Sequence, residues 1–159
     1  MMFRPITSHD ETLMRLALDQ AQAAAAAGET PVGAVVYDPA SGEVIARAHN
    51  RPIALHDPTA HAEILAMREA GRVRGNYRLT GLTLVVTLEP CIMCAAAIAH
   101  ARIGHLVFGA SDPKGGAVEH GPRLYDRRQV NWHPMLTGSV LADESSRLLR
   151  NFFRERRPR

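Results

Sequence analysis

The sequence predicts an α/β protein in which helices pack in layers on a sheet. Helix-forming segments and apolar, strand-like segments alternate along the 159 residues, and this alternation is typical of layered α/β folds. The turn-forming residues 38–42 separate two short strand-like segments, and the resulting hairpin predicts an antiparallel pair within the sheet. No repeat or linker interrupts the chain, so residues 1–159 are expected to form a single domain with a sizeable core.

The first helix and the hairpin come first along the chain. Residues 31–37 predict a buried strand and residues 43–49 alternate as a second strand. Gly28 is expected to be the C-cap of the preceding helix. That helix is predicted over residues 8–27 because apolar and small residues recur there at helical spacing, namely Leu13, Leu16, Ala17, Gln20 and Ala24.

A second helix is predicted over residues 59–72, after a loop over residues 50–58. Two N-caps fit this start equally well. Asp57 can cap with Pro58 at the first helical position, or Thr59 can itself be the cap.

The second half of the chain continues the alternation. Its first strand is rich in β-branched residues, and its first helix is rich in alanine. The long segment before the last strand is rich in Gly, Pro and charge, and is expected to contain only short irregular structure. In order, the predicted elements are strand 81–88, helix 91–101, strand 103–108, loop 110–133, strand 135–140 and helix 141–153.

Arginine dominates the charge of the chain, which is +3 with 19 basic residues, all but Lys114 arginine. A GC-rich genome produces the same bias, so position is more informative than number. A basic helix and tail are predicted from about residue 141, and they suit either a solvated end or a phosphate-binding surface. Six arginines fall within the last thirteen residues: Arg147, Arg150, Arg154, Arg156, Arg157 and Arg159.

Several protein classes are disfavoured by composition. No run of about eighteen apolar residues predicts a membrane span, and the first residues do not resemble a signal peptide. Two cysteines three positions apart cannot form the disulfide framework that stabilises a secreted fold, and they are more typical of metal or redox chemistry. A cytoplasmic location without a membrane partner is therefore expected.

Four residues predict a hydrolytic zinc site: His61, Glu63, Cys91 and Cys94. One imidazole and two thiolates provide three zinc ligands, and a catalytic zinc site keeps its fourth position for water. Zinc lowers the pKa of such a water to roughly 7. Glu63 is about 200° around an ideal helix from His61, so both can serve one site only if it lies across the helix mouth.

The cysteines are predicted to lie in the opening turn of a helix that directly follows a strand. A helix N-terminus lowers the pKa of a thiol and so favours the thiolate that binds zinc. The same strand–Cys-x-x-Cys–helix order is found in thioredoxin-like redox proteins. Two further features favour a zinc site over a redox site: Pro90 directly before the first cysteine, and the separate His-x-Glu pair. A redox site needs neither of them, so their occurrence together with the cysteines indicates zinc.

These motifs resemble the bacterial tRNA-specific adenosine deaminases within the cytidine/deoxycytidylate deaminase superfamily. The resemblance covers about residues 13–157 and rests on the following segments: residues 31–34 (PVGA), 50–52 (NRP), 56–64 (HDPTAHAEI), 76–79 (NYRL), 86–94 (VTLEPCIMC), 101–103 (ARI), 108–110 (FGA), 141–144 (LADE) and 152–154 (FFR). Residues 114–133 match the family pattern only at Lys114, Gly116 and Ala117 and then diverge, with Glu119 and His120 where small residues are common.

The resemblance implies a three-layer α/β/α cytidine deaminase-like fold with a central mixed sheet of about five strands. It also implies hydrolytic conversion of adenosine to inosine at the wobble position of a tRNA anticodon. His61, Cys91 and Cys94 would hold one Zn²⁺ per subunit, and Glu63 would move protons between water, adenine N1 and departing ammonia. The implied partners are the anticodon stem-loop and a second copy of the chain in a homodimer.

The resemblance further implies a set of substrate-binding residues. Asn50 would hydrogen-bond the flipped base, and one of Phe152 and Phe153 is expected to pack while the other offers a stacking face to the substrate. The implied set is Asn50, Pro31, Val32, Ala62, Asp112 and Phe153.

Two other functions compete with the tRNA deaminase. One is a zinc-dependent free-base or nucleoside deaminase acting on guanine or cytosine, which would have no use for a basic tail. The other is a non-catalytic zinc or RNA-binding module, which a fourth protein ligand would favour.

Overall fold

A computed structural model of the chain describes residues 1–156. No helix in this range is long and apolar enough to cross a lipid bilayer. A 3₁₀ turn lies at Leu124–Asp126 in the long segment before the last strand. The helices and strands are α1 Ser8–Ala26, β1 Gly33–Asp38, β2 Glu43–His49, α2 Pro52–Leu55, α3 Ala62–Arg74, β3 Thr83–Leu88, α4 Ile92–His100, β4 His105–Ala110, β5 Met135–Thr137 and α5 Ala142–Arg156.

The five strands form one mixed sheet in the order β2-β1-β3-β4-β5. Strand β1 is antiparallel to both β2 and β3, whereas β3, β4 and β5 run parallel. Helices α1 and α5 pack on one face, and α3 and α4 pack on the other. The three-layer α/β/α fold with a five-stranded mixed sheet is therefore confirmed.

Alternation along the strands divides the core between the two faces of the sheet. Val35, Val85 and Val107 are buried against α1, while their neighbours Val86 and Phe108 belong to the larger cluster beneath α3 and α4. All five are fully buried. This two-sided burial explains why the central strands read as continuous apolar runs.

Gly33 at the start of β1 lets α1 approach the sheet closely. A Cβ at this position would collide with the backbone of α1 at Ala17 and Ala21. The Gly33 N–H donates to the Thr87 hydroxyl at 3.1 Å. The glycine therefore fixes the position of the first strand relative to α1 and β3.

One edge of the sheet, the carboxyl edge, collects the ends of four strands. Strands β3 and β4 are parallel and both end there, and β1, being antiparallel to β3, begins there. Strand β2 also ends at this edge, since His49 pairs with Gly33. The segments next to the edge are residues 31–32, 50, 89–91 and 111–112, so half of the implied site residues, five of ten, are brought together by topology.

The start of α3 differs from the sequence prediction. The helix begins at Ala62, and His61 is its N-cap, so the predictions that Asp57 or Thr59 caps it were both wrong. The Asp57 carboxylate instead accepts from the Thr59 N–H at 2.8 Å and from its hydroxyl at 2.7 Å. This local turn ends before the helix and delivers His61 in an extended conformation.

Helix α2 lies within the segment predicted as loop. Its N-terminal N–H groups at Ile53 and Ala54 donate to the Glu29 carboxylate at 3.1 and 2.9 Å. Glu29 is buried and lies 24 residues earlier in the chain. Local pattern could not reveal a helix that is stabilised by so distant an acceptor.

The other boundaries moved by a few residues. Helix α1 ends at Ala26 with Ala27 as its C-cap, and Gly28 follows with a positive φ. Strand β5 is only three residues long, and α5 continues to Arg156. Phe152 on α5 is buried whereas Phe153 is 51% exposed, so one phenylalanine packs as predicted. Of the predicted basic tail, Arg157 and Arg159 lie outside the described residues.

Candidate metal centre

The three predicted metal ligands lie at the starts of two neighbouring helices. His61 is the N-cap of α3 and Cys91 is the N-cap of α4, and neither side chain caps its own helix. Cys94 follows in the first turn of α4 and is fully buried. Because an N-cap residue has extended backbone, its side chain can point across the helix mouth rather than along the helix face.

The distances among the ligand atoms fit a zinc ion. His61 Nδ1 lies 3.7 Å from Cys91 Sγ and 3.5 Å from Cys94 Sγ, and all three ligand atoms lie within 4.8 Å of one another. With Zn–N of about 2.0 Å and Zn–S of about 2.3 Å, tetrahedral geometry separates such ligands by about 3.5–3.8 Å. Within residues 1–156 no fourth His, Cys, Asp or Glu joins this group. The group, called the metal group below, is therefore suited to catalysis rather than to a closed structural site.

Glu63 is buried beside the metal group. The pKa of its carboxyl is raised to about 7, chiefly by burial and also by the Cys91 charge, while a backbone hydrogen bond, the His61 charge and a hydrogen bond with Cys94 act in the opposite direction. His61 is an extended N-cap and not a helical residue, so the separation of about 200° expected on an ideal helix does not apply, and both side chains can serve one site across the mouth of α3. A carboxyl with a pKa near neutrality can both accept and release a proton there.

In the metal-free protein the pKa values of the two cysteine thiols are shifted in opposite directions. A hydrogen bond from Cys94 lowers the pKa of Cys91 to about 4, against the effect of burial and with help from His61. Cys94 donates its S–H to Cys91, and this hydrogen bond, together with burial, raises the pKa of the Cys94 thiol well above its usual range. A dication bound between them would favour the thiolate form of both. His61 Nδ1 lies against both sulfurs, an arrangement that favours metal binding over a thioredoxin-like redox pair.

Asn50 performs the capping that His61 does not. Its Oδ1 accepts from the Ala62 N–H, the first of α3, at 2.7 Å, and its own N–H donates to the Val32 carbonyl at 3.0 Å. Asn50, Val32 and Ala62 are buried, as is Pro31. No protein acceptor in residues 1–156 takes the Asn50 Nδ2, so its amide remains available to a ligand beside the metal group.

Asp112 and Phe153 are less closely tied to the metal group. Asp112 follows β4 at the carboxyl edge, but its Oδ1 accepts from the Lys114 and Gly115 N–H groups at 3.2 and 3.0 Å. Its carboxylate thus shapes a turn. Phe153 lies on the exposed side of α5, with its ring 5.4 Å from that of Phe152, and within residues 1–156 no hydrogen bond or ring contact joins it to the metal group.

Two residues beside the site were assigned no role from the sequence. Glu89 lies two positions before Cys91 and is buried. Burial opposes ionisation of its carboxyl, but hydrogen bonds, of which the one from the Asp112 N–H has the largest effect, hold the pKa of Glu89 below the ordinary range. Tyr125 is buried in the loop before β5, and burial, then the charges of Cys94 and Glu63, raise its pKa. For Glu89, the sequence signal that could have indicated a role is an acidic residue directly after an apolar strand.

Comparison with known proteins agrees with this geometry. The zinc-binding region of the cytidine and deoxycytidylate deaminases matches residues 7–110. The tRNA-specific adenosine deaminase of Haemophilus influenzae is 50% identical over 148 residues, which cover 93% of this chain and 85% of that protein.

Solved structures with the same fold include two kinds of deaminase. A structure from a study of A-to-I editing by tRNA:A34 deaminases at the wobble position of transfer RNA is 47% identical, with a TM-score of 0.84 and coverage of 87% of this chain and 99% of that chain. The guanine deaminase of Nitrosomonas europaea is 28% identical, with a TM-score of 0.75 and coverage of 94% and 86%.

Proposed function

The chain belongs to the cytidine and deoxycytidylate deaminase family, and we propose that it hydrolyses adenosine to inosine at the wobble position of a tRNA anticodon. The observation that carries this proposal is the buried Glu63 carboxyl beside a metal group of only three protein ligands. The substrate is supported by sequence identity, which is 50% to the tRNA-specific adenosine deaminase of Haemophilus influenzae but 28% to the guanine deaminase of Nitrosomonas europaea.

His61, Cys91 and Cys94 would hold one Zn²⁺ per subunit, and the spacing of their ligand atoms supports this ion. In a site with three protein ligands, zinc supplies a hydroxide nucleophile at neutral pH. A closed, purely structural module would need a fourth ligand, so the three-ligand group favours an enzyme over a non-catalytic zinc module.

Glu63 moves the protons of the reaction. Its carboxylate takes a proton from water and gives it to adenine N1, which makes C6 more open to attack. As the C6–N6 bond breaks, Glu63 passes the second proton of the water to the departing amine, so adenosine and water become inosine and ammonia. A carboxyl whose pKa is about 7 can perform both steps without a large energetic penalty.

Side chains around the metal group would hold the flipped base. The free amide group of Asn50 is a donor for a ring nitrogen or ribose oxygen, and the buried residues Pro31, Val32 and Ala62 give the base an apolar wall. Asp112, at the carboxyl edge, would meet the nucleotide through the turn it organises. Phe153 would offer an exposed ring to a neighbouring base.

The substrate class is tested by comparing two assays on one preparation. We expect ammonia release and inosine formation with unmodified tRNA that carries adenosine at the wobble position, and no ammonia release from guanine or cytosine. An anticodon in which the adenosine is moved by one nucleotide is the matched control. Release from guanine with tRNA left untouched would show that the chain is a free-base deaminase.

The arginines of α5 provide a basic surface for the RNA backbone. Arg147, Arg150 and Arg154 are all exposed, and their spacing of three and four residues places them on one face of the helix. A single-stranded loop splays out one base at lower cost than a duplex. The basic face of α5 therefore suits the anticodon stem-loop better than it suits a small neutral substrate.

Replacing Arg150 and Arg154 with glutamine should weaken tRNA binding and flatten its dependence on salt. Each phosphate contact contributes about 0.7–0.9 to the slope of log K against log salt concentration, so the slope should fall by roughly 1.5. The control replaces two exposed arginines of α3, Arg72 and Arg74, and should leave the slope unchanged. Equal slopes for both double variants, measured by fluorescence anisotropy, would contradict an RNA-binding role for α5.

A homodimer is supported by an apolar groove between α3 and α4. The groove has a volume of about 500 Å³ and is lined by Ile64, Met67, Leu79, Ala97 and other residues. Tyr77 at its rim is 73% exposed, and a second copy of the chain could cover this aromatic ring and the groove beneath it. Light scattering that gives the mass of a single chain, 17.4 kDa, would contradict the dimer.

A cytoplasmic location follows from the proposed substrate and from zinc ligands that need reduced thiols. Cell fractionation tests it, and recovery of the protein outside the cytoplasmic fraction would contradict it.

A further inference from the structure

The buried carboxylate of Glu89 gathers five hydrogen-bond donors from one loop. Its Oε1 accepts from the Asp112 N–H at 3.0 Å and contacts His120 Nδ1 at 2.7 Å. Its Oε2 accepts from the N–H groups of Val118, Glu119 and His120 at 3.1, 3.0 and 3.1 Å. The carboxylate is fully buried, so these bonds replace its hydration.

The loop is shaped to fit this carboxylate. A side chain at Gly116 would collide with the Glu89 carboxylate and with the Asp112 carbonyl. The next residue, Ala117, donates its N–H to the Pro90 carbonyl at 2.9 Å. The loop is therefore tied to the two residues that immediately precede the first sulfur ligand.

The same loop is also tied to the residue that follows the second sulfur ligand. The Tyr125 hydroxyl donates to the Ala95 carbonyl at 2.8 Å, although the two residues are 30 positions apart. Within the loop, residues 117 and 124 are joined because the Leu124 N–H donates to the Ala117 carbonyl at 2.7 Å. Residues 112–125 thus span the turn that carries Cys91 and Cys94.

We infer that residues 112–125 form a brace of the metal-binding turn, with Glu89 and Tyr125 as the positioning residues that keep the two sulfurs in ligand geometry. Helix α4 is only nine residues long, and the Cys91 side chain does not cap it. Its first turn therefore depends on outside contacts, and the brace supplies them on both sides. Partners that orient metal ligands typically change metal affinity by about 10–100-fold.

The brace rests on the proposed zinc chemistry but not on which base is deaminated. Its test is accordingly the rate at which zinc leaves the protein, which needs no substrate. A failure of the tRNA assay would leave this measurement intact, and an unchanged rate of zinc release would leave the proposed activity intact.

The decisive variant is Tyr125→Phe, which removes one hydroxyl and keeps the buried ring. With excess chelator we expect this variant to release zinc at least about tenfold faster than the unmodified protein. The matched control is Trp132→Phe, because Trp132 Nε1 donates to the Ile103 carbonyl at 2.7 Å from beyond the brace. The control should release zinc at the unmodified rate.

Glu89→Gln is the second variant, since its amide would set a donor against the loop's own N–H donors. Its release rate is measured on protein that circular dichroism shows to be folded, and we expect faster release than from Tyr125→Phe. Unchanged zinc release from Tyr125→Phe, or equal acceleration by Trp132→Phe, would overturn the brace. A folded Glu89→Gln protein that holds zinc normally would remove Glu89 from it.

Discussion

Glu63→Gln will lower kcat for inosine formation by at least about two orders of magnitude, the scale of a lost general acid–base, while one zinc ion remains bound. Glutamine has the same shape as glutamic acid but can neither accept the proton from water nor pass it to the base. Glu63 is buried beside the metal group without being one of its ligands, so its replacement should leave His61, Cys91 and Cys94 in position.

The measurement combines steady-state kinetics, which give kcat, with elemental analysis of the same sample. Glu69→Gln is the matched control, because Glu69 lies on the same helix but pairs with Arg72 on the surface. We expect the control to match the unmodified protein in both rate and zinc content. A Glu63→Gln protein that keeps its turnover would show that the protons move by another route.

Cys91→Ser will abolish both zinc binding and deamination. A serine hydroxyl does not ionise near neutral pH, so only His61 and Cys94 would remain as ligands. Cys91 is half-buried and makes no cap for α4, and the fold should therefore survive its replacement. Zinc content, circular dichroism and inosine formation on one preparation check this prediction.

The same variant separates zinc chemistry from a thioredoxin-like redox role. With a thiol reductant present in both samples, added zinc should restore activity to metal-stripped unmodified protein but not to Cys91→Ser. Full zinc occupancy and activity in Cys91→Ser would exclude the three-ligand site.

The metal ligands could be predicted from the sequence because their geometry is local. Cys91 and Cys94 follow a strand in a fixed x-x spacing, and His61 and Glu63 share one helix start. Each pair therefore reaches its position through backbone geometry near the residue itself. The α/β class was predictable for a similar reason, since alternating helical and strand-like segments and a short hairpin turn indicate it. The three-layer order and the mixed sheet were implied by the family resemblance instead.

Contacts across the chain could not be predicted in this way. The start of α3 depends on Asn50, whose Oδ1 accepts from Ala62 twelve residues later, and α2 depends on Glu29. The carboxylates of Glu29 and Glu89 look like ordinary surface charges in the sequence, yet both are buried. Only the folded chain brings their donors to them.

The substrate-binding residues show the same limit. Asn50 proved to have a structural bond as well as a free amide, and Asp112 proved to organise a turn. Their implied contacts with the nucleotide stay predictions, because a protein without its RNA gives only the positions from which such contacts could be made.

Inosine mapping in total tRNA tests the central claim most directly. Total tRNA from a strain that lacks this activity is incubated with the zinc-loaded protein, digested and analysed by mass spectrometry. We predict that inosine will appear at the first anticodon position and at no other adenosine, with one ammonia released for each inosine. Ammonia released from free guanine, with every tRNA adenosine unchanged, would contradict the proposed function.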